Sequence, residues 1–162
     1  MIGKPKIKNL FTDASCIRQR GVTSWAGMLI TGFESELRSG IVGVAVRDPN
    51  RAEVFAVRYA LRSFIRGGQI VKGDTIIIHS DSDTVCRFLD DPAKMPRDAG
   101  FRDELALIHR NATDHGLAII PMWIKAHQGE AATCWRSLVN QRVDREARAL
   151  ARAEAQRLEK LP

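Results

Sequence analysis

Thr75-Ile76-Ile77-Ile78-His79-Ser80-Asp81-Ser82 opens as a short, wholly apolar β-branched run and closes in small polar residues around an acid. Such a run is expected of a strand buried on both faces of a sheet. Working outward, Arg51 to Arg66 places Val54, Val57, Leu61 and Phe64/Ile65 at three- and four-residue spacing, one face of an amphipathic helix that Gly67-Gly68 stops. On the other side a short helix runs through Leu89, and Asp90 to Gly100, with Pro92, Pro96 and Gly100, reads as loop. A further helix spans Phe101 to about His115, with Phe101, Leu105, Ile108 and Ala112 in one stripe and Gly116 as its stop. Leu117 to Ala126 is a second buried strand, in which Pro121 suggests an edge or a bulge.

The first third of the chain has a different period. Lys6 to Asp13, Val22 to Thr31 around Trp25, and Leu37 to Val46 after a turn near Glu34-Ser35 are three β-rich runs about ten residues apart. That spacing predicts an antiparallel meander. From about Asn140 to Leu161 the chain is rich in alanine, arginine and glutamate and strongly helical. The order β-β-β-α-β-α-α-β-α implies one α/β domain over residues 1–162, a mixed sheet covered by helices. The composition, 44% hydrophobic and 27% charged over 162 residues, excludes collagenous, mucin-like and disordered readings. No apolar run reaches the length of about 20 residues that a membrane span needs. The first residues lack the apolar stretch of a secretory signal, which points to the cytoplasm. Cys16, Cys86 and Cys134 are odd in number and widely spaced, against a disulfide framework or zinc site. A net charge of +6 favours a polyanionic partner.

The acids are placed unevenly. Asp13 and Asp81 each end a β-rich run, Glu53 opens the first long helix and Asp144 lies near the start of the last. If the first and fourth strands are neighbours, Asp13 and Asp81 meet at one sheet edge. Singly, each has an ordinary explanation: a turn former, a helix cap, a first-turn glutamate or a surface charge. Together, three or four buried acids require cations, and oxygen-only donors select hard ions such as Mg²⁺ or Mn²⁺. Two such ions about 3.5–4 Å apart stabilise the entering and leaving oxygens of a phosphodiester displacement. Trp25 and Trp123 are expected in the core, and Trp135 in a loop, exposed for stacking.

Five blocks carry a resemblance: Thr12-Asp13-Ala14-Ser15-Cys16, Asn50-Arg51-Ala52-Glu53, Ser80-Asp81-Ser82, Trp123-Ile124-Lys125-Ala126-His127 and Asn140-Gln141-Arg142-Val143-Asp144. Their order resembles that of type 1 ribonuclease H, whose blocks look like TDGSC, NRxE, TDS, WVKGH and NxxxD. The resemblance implies a ribonuclease H-like fold: a five-stranded mixed sheet, three strands antiparallel and two parallel, flanked by helices. It implies hydrolysis of the RNA strand of an RNA–DNA hybrid, leaving 5′-phosphate and 3′-hydroxyl ends. Asp13, Glu53, Asp81 and Asp144 would hold two Mg²⁺ ions, with Mn²⁺ as a substitute. His127 would be the catalytic histidine near the scissile phosphate, and Cys16, Asn50 and Ser82 would touch the hybrid. The 2′-hydroxyl is what separates an RNA strand from DNA at such contacts. A monomer without a small-molecule cofactor satisfies the pattern.

The chain departs from the family in places. The tryptophan- and lysine-rich handle helix of some bacterial members is replaced by Asp90–Gly100, which carries only Lys94 and Arg97 as basic residues. The segment from His127 to Asp144 is longer, with Glu130 to Leu138 as the extra material. Asp48 stands where many members have a phosphate-binding threonine, Asp83 where a groove-contacting glutamine is common, and Ala14 where glycine is usual. Two alternatives follow: a catalytically weak or inactive module that binds hybrids or RNA, and a nuclease of the same superfamily with another nucleic-acid substrate.

Overall fold

In the computed structural model, residues 4–95, 99–125 and 134–161 are described. The strands are β1 (Ile7–Ile17), β2 (Val22–Thr31), β3 (Glu34–Ile41), β4 (Thr75–Ser80) and β5 (Ala118–Trp123). The helices are α1 (Pro49–Arg66), α2 (Asp83–Asp90), α3 (Ala99–Asp114) and α4 (Trp135–Glu159). One five-stranded sheet runs β3-β2-β1-β4-β5. The β1–β2 and β2–β3 pairs are antiparallel, and β1–β4 and β4–β5 are parallel. The expected mixed ribonuclease H-like sheet is therefore the one observed.

Alternation along β1 divides the core. Leu10 joins Trp25, Leu29, Ile76 and Ile78 on the face covered by α1, behind which α3 packs. Phe11 joins Ala26 and Met28 on the opposite face, under Val143 and Ala147 of α4. Small side chains bring both helices close to the sheet. At Gly27 an added Cβ would lie 2.6 Å from Ala60 Cβ of α1. The buried stripe Val143, Ala147, Ala151 and Ala155 of α4 is nearly all alanine. Ser39 Oγ also donates to Glu146 of α4 at 2.7 Å.

The β1–β4 pairing is pinned at its beginning. Lys8 forms a buried ion pair with Asp74, and Asp74 also accepts from the amides of Lys6 at 2.9 Å and Val71 at 2.8 Å. Desolvation pulls the Asp74 pKa upward, but the Lys8, Val71 and Lys6 hydrogen bonds outweigh it and hold it below the ordinary value. A slip of one residue would turn every side chain of β1 to the opposite face. This lock therefore fixes which face Asp13 takes.

Several boundaries differ from the sequence reading. β3 is Glu34–Ile41, not Leu37–Val46, because the turn is Gly32-Phe33, closed by the pair Thr31↔Glu34 with Gly32 at φ 61°. Val42 and Val46, which imitate a strand, are buried plugs in the core beneath α1. β5 is shorter than expected and only half-buried, an edge strand on which Pro121 has one hydrogen-bonded neighbour strand. α4 begins at Trp135 rather than near Asn140. Trp25 is in the core as expected, whereas Trp123 is 52% exposed. Trp135 lies in the first turn of α4, not in a loop, and its ring meets Phe11 edge-on with centroids 5.7 Å apart. The Phe101 side chain lies outside the described part.

The close approach at Gly27 gives a test. Gly27→Ala pushes α1 off the sheet and destabilises the protein by about 1–3 kcal/mol, the usual range for overpacking. Urea unfolding measures it as a lower midpoint at an unchanged slope; an unchanged midpoint would mean that α1 yields freely.

Candidate active site

The β1–β4 pairing brings Asp13 and Asp81 together, each two residues past Phe11↔His79, the last pair of that ladder; Asp13 does not end its strand as expected, because β1 runs on to Ile17 in its pairing with β2. Asp13 is 5% exposed in β1, and Asp81 follows the last residue of β4 on the adjacent parallel strand. Glu53 reaches them from α1, one turn inside the helix rather than at its opening. One carboxylate oxygen from each of Asp13, Glu53 and Asp81 lies within 4.8 Å of the others. The Ala14 amide donates to Asp13 Oδ1 at 2.8 Å and to Glu53 Oε1 at 3.2 Å. Glu53 Oε2 is enclosed and has no hydrogen-bond partner among the described residues.

Asp144 stands beside this group but outside it. It lies beyond the second turn of α4, not near the helix start, and accepts from Arg148 Nε at 2.7 Å. Its charge is still felt at Asp13. Burial, then Asp81, then Asp144 push the Asp13 carboxyl up to about pKa 8, against hydrogen bonds from Glu53 and Ala14. Burial and the charges of Asp13 and Asp81 raise Glu53 well above the usual carboxylate range. The Asp13–Glu53 pair thus retains a proton near neutrality, and no positively charged side chain among the described residues appears among the causes that set these two carboxyls.

The donor set fits a hard divalent cation. It is all oxygen, it is partly dehydrated, and one oxygen is orphaned where a ligand bond would satisfy it. A cation would replace the retained proton and remove the repulsion.

The residues expected at the hybrid lie close in sequence to the cluster acids: Cys16 on the strand of Asp13, Asn50 in the first turn of the helix of Glu53, and Ser82 next to Asp81. Asn50 and Ser82 link two helix N-termini: Ser82 Oγ donates to Asn50 Oδ1 at 3.0 Å and accepts from the Val85 amide at 3.2 Å as the cap of α2. Asp48 caps α1, accepting from the Asn50 amide at 2.9 Å. Asp83 lies in the first turn of α2 and pairs with Arg87 at 3.0 Å. Both unusual acids therefore have a local structural reason, at helix N-termini where negative charge is favourable. Cys16 is half-buried, its Sγ 3.5 Å from Thr23 Oγ1. His127 lies outside the described residues.

Two partners at the site were missed by sequence reasoning. Trp123 Nε1 donates to the Asp81 carbonyl at 3.1 Å, although the residue was assigned to the core. Arg148 holds Asp144; their four-residue spacing on a helix was the available signal. Buried His79 stacks on Phe11 at 4.1 Å and shares a 2.8 Å hydrogen bond with Asn9 Oδ1. Burial and then Arg136 lower its pKa to about 4.

A mixed sheet in this strand order, with acids just past the last pair of its two adjacent central strands, belongs to the ribonuclease H-like class of α/β folds. Solved structures show the same architecture. RNase H1 of the halophilic archaeon Halobacterium salinarum NRC-1 matches with a TM-score of 0.67 at 18% identity, over 90% of this chain and 99% of that one. The N-terminal RNase H domain of a Mycobacterium tuberculosis protein, solved as a fusion with maltose-binding protein, matches at 0.65 and 15% identity, over 93% and 99%. LC11-RNase H1 in complex with an RNA/DNA hybrid matches at 0.63 and 15% identity, over 86% and 98%. At these identities the likeness is one of fold. A sequence comparison with curated proteins gives no match. The RNase H family itself matches residues 5–152, and this chain belongs to that family.

The raised carboxyls predict a pH dependence. Asp13 keeps its proton in the folded state up to about pH 8 but loses it near 3.8 when exposed, so the unfolded chain binds fewer protons between those values. Stability of the metal-free protein then falls as pH rises through that window. His79 acts oppositely, since folded it stays neutral down to about pH 4 against an ordinary 6.5. The His79 effect is already halved at 6.5 and fades above it, so the carboxyl effect outweighs it there. In EDTA, the urea midpoint should therefore fall between pH 6.5 and 8, and Asp13→Asn should flatten that slope. A midpoint that rises over this range would contradict the account.

Proposed function

We propose that this RNase H family member is an endonuclease that hydrolyses the RNA strand of RNA–DNA hybrids with two divalent metal ions, leaving 5′-phosphate and 3′-hydroxyl ends. The observation that carries the reading is the convergence of Asp13, Glu53 and Asp81 oxygens within 4.8 Å around an orphaned Glu53 oxygen. Asp144, on the neighbouring helix, completes the set as the fourth carboxylate. Mg²⁺ is the natural ion for such donors, and Mn²⁺ the substitute. When bound, the ions supply Lewis-acid stabilisation of the entering and leaving oxygens.

The chain's own groups do the remaining work. Asp13 and Glu53, held by the Ala14 amide, give up their shared proton when the cluster is neutralised. His127, near the scissile phosphate, assists by proton transfer, delivering a proton to the departing 3′-oxygen, or by helping the product depart. The Asn50 amide, the Ser82 hydroxyl and Cys16 read the 2′-hydroxyl side of the RNA strand, which supplies the preference for a hybrid over DNA. The basic balance of the chain, 25 lysines and arginines against 19 acids, draws in the polyanion. LC11-RNase H1, a structural relative, was solved with an RNA/DNA hybrid. The same reading takes residues 1–162 as one domain working as a cytoplasmic monomer without a small-molecule cofactor. Among the described residues no helix is long and apolar enough to cross a membrane. A pure binding module has no reason to hold three acids facing phosphates, so the enzymatic reading is preferred.

The test uses one labelled RNA strand, presented alone, paired with RNA and paired with DNA, in Mg²⁺ and then in EDTA. Only the hybrid is cut, and only with metal. Asp81→Asn lowers the rate by more than about a hundredfold while hybrid binding, followed by gel shift, persists; that magnitude is typical of losing a key charge-stabilising group. Binding without cleavage by the wild-type chain would favour the module, and cutting of duplex RNA or DNA would favour another substrate.

A further inference from the structure

We propose that Trp123 is a positioning residue for Asp81, acting through a hydrogen bond to the main chain; the proposal rests on the metal-dependent reading of the carboxylate cluster. Asp81 lies in a gap between two regular elements. The β4 ladder ends at Ser80, paired with Trp123, and α2 starts at Asp83 with Ser82 as its cap. Neither strand nor helix geometry sets the conformation of Asp81, yet its carboxylate must meet those of Asp13 and Glu53.

The last residues of β5 bridge that gap. The peptide plane before Asp81 is held because the Ile124 amide donates to the Ser80 carbonyl at 2.9 Å. The plane after Asp81 is held at both of its polar groups. Its carbonyl accepts the Trp123 indole N–H at 3.1 Å, and its N–H, that of Ser82, donates to Ser80 Oγ at 3.2 Å. With both flanking planes fixed, the Cα–Cβ bond of Asp81 has one direction, and the carboxylate needs only side-chain rotation to find the cluster.

The exposure of Trp123 supports this role. A tryptophan placed for packing would be covered, but this one is 52% exposed on an edge strand. Its polar atom reaches the main chain of a cluster acid.

Trp123→Phe keeps a ring and removes the donor. Replacement by benzothienylalanine keeps the bicyclic shape and lacks only the N–H. For both variants in the full chain, the thermal unfolding transition stays close to wild type. Mg²⁺ binding, measured by calorimetry without substrate, weakens about fivefold, the scale of one net hydrogen bond. In hybrid cleavage kcat falls while KM stays within about twofold, as expected when positioning of a reacting group is lost and substrate binding is not. If the wild-type chain binds Mg²⁺ and cleaves, and the variants match it, the positioning role is overturned and the proposed function stands. A loss confined to KM also overturns it, making the indole a substrate contact. A wild-type chain that binds no Mg²⁺ overturns both readings.

Discussion

The crowding of the Asp13, Glu53 and Asp81 carboxylates, one oxygen from each within 4.8 Å of the others, is the interaction on which the rest of the structure turns. Burial first, then the nearby charges of Asp81 and Asp144, carry the Asp13 pKa to about 8. An arrangement of this kind weakens the fold in the absence of a counter-charge. It persists because the surrounding elements are held by other contacts. The β1–β4 register is locked by Lys8 and Asp74, and the α1 approach is set by Gly27 against Ala60. α4 is seated by its alanine stripe and by Glu146 on Ser39. Each lies away from the acids, so the scaffold stabilises a cluster that does not stabilise itself.

That division of labour gives the site its chemical character. The end of the β1–β4 ladder places Asp13 and Asp81 side by side, and α1 supplies Glu53. The orphaned Glu53 oxygen and the proton kept by the Asp13–Glu53 pair are two expressions of one deficit of positive charge. Asp144 is balanced within its own helix by Arg148, so the described cluster is a set of three with a fourth acid held in reserve alongside.

Much of this was legible in the sequence because it depends on local period and on strand termini. The β-branched run ending at Asp81 and the three- and four-residue stripe of α1 led to the correct sheet and helices. The acids that follow two β-rich runs led to the cluster, although β1 continues past Asp13 to Ile17. What was not legible depended on competition between similar signals. Glu34-Ser35 imitates a turn, yet Gly32 supplies the left-handed backbone that the real turn uses. Val42–Val46 imitates a strand, although its buried residues plug the core. Trp123 carries the composition of a core residue, but the sheet ends beside it, and edge position cannot be read from one strand's own pattern. Asp48 and Asp83 looked like obstacles to a polyanion until their helix N-termini gave them a local role.

The most direct measurement is calorimetric titration of Mg²⁺ into the wild-type chain at pH 7.5, repeated in two buffers of different ionisation enthalpy. Because the cluster retains a proton up to about pH 8, binding should expel most of one proton, and the observed heat should differ between buffers accordingly. Asp13→Asn should abolish that difference. Binding with no proton release, or no binding at all, would contradict the claim that the three carboxylates form a cation site held open by the fold.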